Sequence, residues 1–115
     1  KMMKVAHEAA QEMAKDGVQA EVIDLRTVRP IDYATIVQSV KKTNRLVIVE
    51  EAWPLASISS EISHHVQSQA FDYLDAPVKR VTSKDVPVPY APTLLEEVLP
   101  NAARTIEAIK AVTYR

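Results

Sequence analysis

Hydrophobic positions recur along the chain with the period of a helix, then of a strand, and each switch marks an element. Met2, Val5, Ala6, Ala9, Ala10 and Met13 fall at helical spacing with charged residues between them. Asp16-Gly17 closes that helix, with Gly17 as the residue just past its C-cap. Glu21-Val22-Ile23-Asp24-Leu25 predicts a short strand. Arg26-Thr27-Val28-Arg29-Pro30 leaves it as a loop, because Pro30 biases Arg29 away from helix. Asp32 suits the N-cap of a second helix that buries Ile36, Val37 and Val40 and ends on Lys41 and Lys42, cations that complement its dipole. Leu46-Val47-Ile48-Val49 is a continuous apolar run, the pattern of a parallel strand covered on both faces. A third helix follows with Ile58, Ile62, Val66 and Ala70 on one face. Pro77-Val78-Lys79-Arg80-Val81 predicts a third strand, and residues 94–99 a short helix. Asn101 then caps a last helix that turns Ile106, Ile109 and Val112 inward.

Alternating helices and strands of this kind specify an α/β domain with a mostly parallel sheet and helices on both faces. The 115 residues suffice for one domain, residues 1–115, with one core. The order opens on a helix, whereas a doubly wound sheet opens on a strand, and that first strand is usually central. The chain is therefore expected to be a fragment whose first strand lies upstream, inserted between the strands at residues 21–25 and 46–49.

Composition narrows the function. At 47% hydrophobic residues a buried core is expected rather than disorder. A net charge of −1 offers no basic stripe to neutralise phosphates, so neither a nucleic acid nor an anionic membrane surface is an expected partner. No apolar run approaches the ~20 residues of a membrane span. The chain has no cysteine, which excludes disulfides and thiol chemistry within it. It has one glycine, Gly17, which excludes a Walker loop and a dinucleotide fingerprint here, since both need several glycines to let backbone approach phosphate.

Chemistry-bearing residues are few. His64 and His65 are adjacent, so on a helix they diverge by about 100° and chelate one metal poorly; His7 is distant in sequence. Glu50 and Glu51 follow a buried strand at the edge where open sheets place ligand crevices. They could do acid–base work, or one could cap backbone while the other is solvated. Arg26 and Arg29 follow the strand at residues 21–25 and could clamp an anion or pair with Asp24 or Asp32. Ser57, Ser59 and Ser60 lack the flanking glycines of a nucleophile elbow, and capping by one of them is expected instead. Trp53, beside Pro54, could fill the core or anchor an interface. Tyr90, in the proline-laced loop Asp85-Val86-Pro87-Val88-Pro89-Tyr90-Ala91-Pro92, is a second possible interface residue.

Four stretches in order carry a family resemblance: Glu21 to Pro30, Arg45-Leu46-Val47-Ile48-Val49-Glu50-Glu51, Phe71-Asp72-Tyr73-Leu74-Asp75-Ala76-Pro77, and Val81 to Ala91. Together they resemble the C-terminal domain of E1 β subunits of pyruvate dehydrogenase, in the transketolase-like, thiamine-diphosphate-dependent family. The resemblance implies a three-layer α/β/α sandwich. It implies an E1 enzyme that decarboxylates pyruvate with thiamine diphosphate and Mg2+ and passes the acetyl group to the lipoyl group of E2. The implied partners are the E1 α subunit, a second β subunit and the E2 subunit-binding domain, in bacterial cytoplasm or the mitochondrial matrix. No catalytic, cofactor-binding or metal-binding residue of the family maps onto this segment, so turnover by it alone is not expected. The family's docking aspartate maps to Asp75, with Arg115 at the C-terminal end as a further docking residue. The alternative role for Asp75 is to cap its turn. Where the family has a glycine-rich turn after the glutamate pair, this chain has Trp53-Pro54-Leu55-Ala56-Ser57, so that loop is expected to differ. The competing functions are a free-standing α/β domain binding a small anion at the Arg26, Arg29 and Glu51 edge, or the E1 β subunit of a related 2-oxo acid dehydrogenase.

Overall fold

The computed structural model describes residues 1–115 as five α-helices, one short 3-10 turn and two strands. The helices are α1 (Met2–Lys15), α2 (Tyr33–Thr43), α3 (Ile58–Ala70), α4 (Pro92–Val98) and α5 (Ala102–Thr113). The strands, β1 (Val47–Val49) and β2 (Lys79–Val81), pair in parallel with Val47 opposite Lys79 and Val49 opposite Val81. Helices α1 and α5 pack together on one side of this ladder, with α5 touching both strands, and α2 packs on α3. Leu46 and Ile48 pack against the α2–α3 core of Ile36, Val40, Ile62, Val66 and Ala70. The architecture is thus the expected α/β/α layering with a parallel sheet.

Local signals in the sequence act as read. Val18 N–H donates to the Met13 carbonyl at 3.0 Å and Gly17 N–H to Ala14 at 3.1 Å, the paired bonds of a Schellman motif that needs the positive φ of 80° at Gly17. Asn101 Oδ1 accepts from the Arg104 N–H at 2.9 Å and starts α5. The expected inward stripes are only half realised. In α1 Ala9 and Met13 are buried while Met2, Ala6 and Ala10 are half-buried. In α5 the buried positions are Thr105 and Val112, with Ile106 and Ile109 half-buried. Thr105 is accommodated because its hydroxyl donates to the Asn101 carbonyl at 2.9 Å.

Asp32 caps α2 by accepting from the Thr35 N–H at 3.1 Å and the Thr35 hydroxyl at 2.6 Å. The hydroxyl bond first, and the N–H bond second, hold the Asp32 carboxyl below the usual carboxylate range. A carboxyl depressed on folding stabilises the native state above its unfolded value, and that contribution is lost as pH falls through the folded value. Asp32→Asn should therefore lower stability at neutral pH and leave the acid side, where Asp32 is already protonated, nearly unchanged, so that the pH dependence flattens. Urea unfolding midpoints of both proteins across the acid range check this; parallel curves contradict it.

One expected element is corrected. Residues 21–25 form no strand. No backbone–backbone hydrogen bond outside helices and strands involves residues 19–24, because β1 pairs with β2 and a cleft of about 840 Å³ lies between residues 18–28 and β1. The third strand begins at Lys79 rather than at Pro77, which has no N–H to donate. No helix is long and apolar enough to cross a membrane.

Candidate functional site

Asp75 sits on a turn gathered from three parts of the chain. Helix α2 ends on Asn44 in the left-handed region, φ 64°, a conformation asparagine tolerates better than most residues. Asn44 Nδ2 then donates to the Tyr73 carbonyl at 2.8 Å, and its own carbonyl accepts from the Asp75 N–H at 2.9 Å. Helix α5 ends on Tyr114, also left-handed, whose hydroxyl donates to the Asp75 carbonyl at 3.0 Å. The main chain of Asp75 is therefore held on both sides, and Ala76 beneath it is buried.

The carboxylate itself is left to solvent. It accepts no hydrogen bond from the chain, so the turn-capping role considered for it is filled by Asn44 and Tyr114 instead. Its one charged neighbour is Arg45, with Nη1 3.8 Å from Asp75 Oδ2 and side-chain exposures of 35% and 58%. Arg45 is steadied by donating from Nε to the Val112 carbonyl at 2.7 Å. At that separation and exposure the pair contributes little to stability, and it leaves the carboxylate lone pairs available. Exposed aromatic groups stand in the same region: Phe71 and Tyr73 lead into the turn, Tyr114 touches it, and Lys41 Nζ lies 5.2 Å from the Tyr73 ring centroid. Arg115 is engaged elsewhere. Its Nη1 donates to the Asp16 carbonyl at 2.9 Å and ties the end of α5 to the end of α1. Tyr114, not the Arg115 guanidinium, is the C-terminal residue in contact with Asp75.

Trp53 and Tyr90 lie on a second surface. Trp53 Nε1 donates to the Val86 carbonyl at 3.1 Å and fastens its loop to the proline-laced one. Trp53 remains about half exposed, and Leu55, Val88, Tyr90 and Leu94 are exposed as well. The core-filling alternative for Trp53 therefore does not hold.

Most of the remaining candidates take structural roles, whereas Arg29 is exposed and pairs with neither Asp24 nor Asp32. Glu50 accepts from the Ser59 N–H and the Ser59 hydroxyl, both at 3.0 Å, and so caps α3 from a strand end nine residues away. Ser57 occupies the N-cap position but makes no side-chain cap bond, which corrects the expected serine cap. The serines instead surround Arg80, whose Nη1 donates to Ser60 Oγ at 2.6 Å and to the Pro54 carbonyl at 2.9 Å. Sequence gave no signal for Arg80, because its partners come from a distant loop. Glu51 pairs with Lys1 at 2.8 Å, and Arg26 with Asp24 at 2.7 Å. His65 stacks on Tyr33 at 3.8 Å.

The capping role of Glu50 has a measurable consequence. Ser59 is fully buried. Glu50→Ala strands the Ser59 N–H, while the Ser59 hydroxyl keeps its bond to Ser57 Oγ at 2.8 Å, and a buried unsatisfied group costs about 1–3 kcal/mol. Glu50→Gln retains an acceptor and should lose clearly less. Urea unfolding of the full-length polypeptide carrying each variant tests this ordering, and equal losses contradict it.

The residues present do not fit a Mg2+–diphosphate group. No cluster of three His, Cys, Asp or Glu side chains could hold a metal ion. The single glycine stands at the C-terminus of α1 rather than on an anion-binding turn.

Comparison with known proteins identifies the family. The family model "Transketolase, C-terminal domain" matches residues 1–105. The chain is 51% identical over 113 residues to the pyruvate dehydrogenase E1 component subunit beta of Rhizobium meliloti (strain 1021), a match covering 98% of this chain and 25% of that protein. It is 52% identical over 108 residues to the mitochondrial subunit beta of Dictyostelium discoideum, covering 94% of this chain and 30% of that one. With the mitochondrial subunit beta-1 of Arabidopsis thaliana it shares 47% identity over 115 residues, covering 32% of that protein. The chain thus spans about a quarter to a third of the length of these relatives. Among solved structures, a split-gene transketolase described as an inactive beta4 tetramer superposes with a TM-score of 0.81 at 28% identity, covering 97% of this chain and 35% of that one.

Proposed function

The chain belongs to the transketolase C-terminal domain family, and on that premise we propose that it serves as the assembly and docking domain of a pyruvate dehydrogenase E1 β subunit. The observation that carries the docking half is the Asp75 carboxylate, exposed on a turn fixed by Asn44 and Tyr114 and free of hydrogen bonds within the chain. Identity of 51% and 52% to E1 β subunits over 98% and 94% of the chain supports the choice of enzyme.

In this reading the reaction is done elsewhere in the assembled enzyme. Thiamine diphosphate and Mg2+, held by the E1 α subunit and the rest of β, supply the chemistry that decarboxylates pyruvate, and the acetyl group passes to the lipoyl group of E2. The part played by this domain is to hold partners. A second β subunit packs on the surface around Trp53 and Tyr90. The E2 subunit-binding domain sets a basic side chain against Asp75, where charge-assisted hydrogen bonds are the strong ones. Tethering E2 in this way raises the local concentration of the lipoyl group at the active site. The setting is bacterial cytoplasm or the mitochondrial matrix.

The test is calorimetric titration of the assembled E1 with the isolated E2 subunit-binding domain at two salt concentrations. Saturable binding that weakens with salt is expected. No binding by an E1 that is active on pyruvate overturns the docking role.

A further inference from the structure

Opposite charges meet at the Asp75 turn, and only one of them suits a basic partner. Arg45 Nη1 lies 3.8 Å from Asp75 Oδ2, outside hydrogen-bond reach. The guanidinium therefore occupies none of the carboxylate lone pairs, yet its permanent positive charge stands beside them. It is also fixed there. Arg45 Nε donates at 2.7 Å to the carbonyl of Val112, in the last turn of α5, where carbonyls have no partner within the helix. Asn44, the residue before Arg45, is clamped to the turn through Tyr73 and Asp75. An arginine free in solvent can swing away from an incoming cation; this one is tethered, and its side chain is only 35% exposed. Asp75 is the one carboxylate within ion-pair distance of Arg45. Near the end of α2, Lys42 is neutralised by Glu21 at 2.8 Å, whereas Lys41 pairs with no carboxylate and lies 5.2 Å from the Tyr73 ring centroid. The turn thus carries its own cations next to the acid it presents.

We propose that Arg45 limits the affinity of this site: it is a fixed counter-cation that a basic partner must accept as a neighbour when it bonds Asp75. The inference rests on the docking role proposed for Asp75 and deepens it. A guanidinium or ammonium group that reaches the free lone pairs of Asp75 comes to rest beside Arg45, attracted by one charge and repelled by the other. Two like charges about 6 Å apart at a partly exposed surface weaken binding by about threefold to tenfold. The opposite role, in which Arg45 orients the carboxylate for the partner, would need a hydrogen bond between them, and 3.8 Å supplies none. The tether to Val112 prevents relief by movement of the side chain, so the repulsion persists in the complex. Attraction at the turn is thereby held below what Asp75 alone would give, and the bound partner exchanges faster.

Calorimetric titration of assembled E1 carrying Arg45→Gln with the isolated E2 subunit-binding domain tests the assignment. Glutamine removes the charge and keeps a side-chain donor. Affinity should rise by about threefold to tenfold, and its salt dependence should steepen. The gain should shrink as salt approaches 1 M, where the Debye length is about 3 Å. Arg45→Lys keeps the charge and should bind within about twofold of the wild type. A gain that appears equally in Arg45→Lys, or that does not shrink with salt, comes from altered packing and overturns the proposal. Unchanged binding by Arg45→Gln overturns it as well, and weaker binding makes Arg45 a direct contact for an acidic group of the partner. Asp75→Ala, titrated alongside, separates the two readings. If it binds as the wild type does, the docking role of Asp75 fails and this inference falls with it. If it weakens binding while Arg45→Gln brings no gain, only the role of Arg45 is lost.

Discussion

Asp75→Ala in the full-length β subunit should weaken binding of the E2 subunit-binding domain by about 10- to 150-fold, the loss expected when a hydrogen bond to a charged group worth about 1.5–3 kcal/mol is removed. The carboxylate is side-chain exposed by 58% before binding, and its only charged neighbour is at 3.8 Å. Removing it therefore disturbs the free subunit little, and the change reads out in the complex. Asp75→Asn should fall between the two, because it keeps an acceptor and loses the charge. The salt dependence of binding should flatten in both variants, since a charge pair that is screened by salt has been deleted. Unchanged affinity with unchanged salt dependence leaves Asp75 as a plain turn residue. Tyr114→Phe separates positioning from contact. It deletes the hydroxyl that holds the Asp75 carbonyl at 3.0 Å and keeps the ring, so a smaller loss of affinity is expected than for Asp75→Ala.

Met13→Ala should cost about 2–5 kcal/mol of unfolding free energy, the range for truncating a buried methionine. Met13 is fully buried in α1, which packs on α5, and its carbonyl also accepts from the Asp16 and Val18 N–H groups that close α1. With about 5–15 kcal/mol of total stability to draw on, the midpoint of thermal unfolding should fall by about 4 °C or more. Met13→Leu conserves volume and should cost less than about 1.5 kcal/mol. Urea or thermal unfolding of the full-length polypeptide distinguishes the two, and a loss below about 1 kcal/mol for Met13→Ala would show that the site collapses around the smaller side chain.

The candidate site was legible in part. Proline at position 77 and the acidic residue before it mark a stiff, exposed turn in the sequence, and the resemblance attaches docking to it. Asn44, Arg45 and Tyr114, which hold or flank that turn, were not legible. They lie 31, 30 and 39 residues from Asp75, and no local pattern links positions that far apart. The same holds for Glu50. Its place after an apolar strand allowed either acid–base work or capping, and only the arrival of the α3 N-terminus decided for capping.

What the sequence determined by itself was local. Helical periodicity, the Asp32 and Asn101 caps, the Gly17 terminator and the apolar β1 run each depend on residues within a few positions of one another, so the chain states them directly. Tertiary structure alone decided which part of each apolar stripe is buried, that Ser59 is capped by Glu50 rather than by Ser57, and that residues 21–25 form no strand. A strand exists only when another strand supplies its hydrogen-bond partners, and a remote cap only when folding delivers the carboxylate. Both depend on contacts between distant parts of the chain, which periodicity and propensity do not encode.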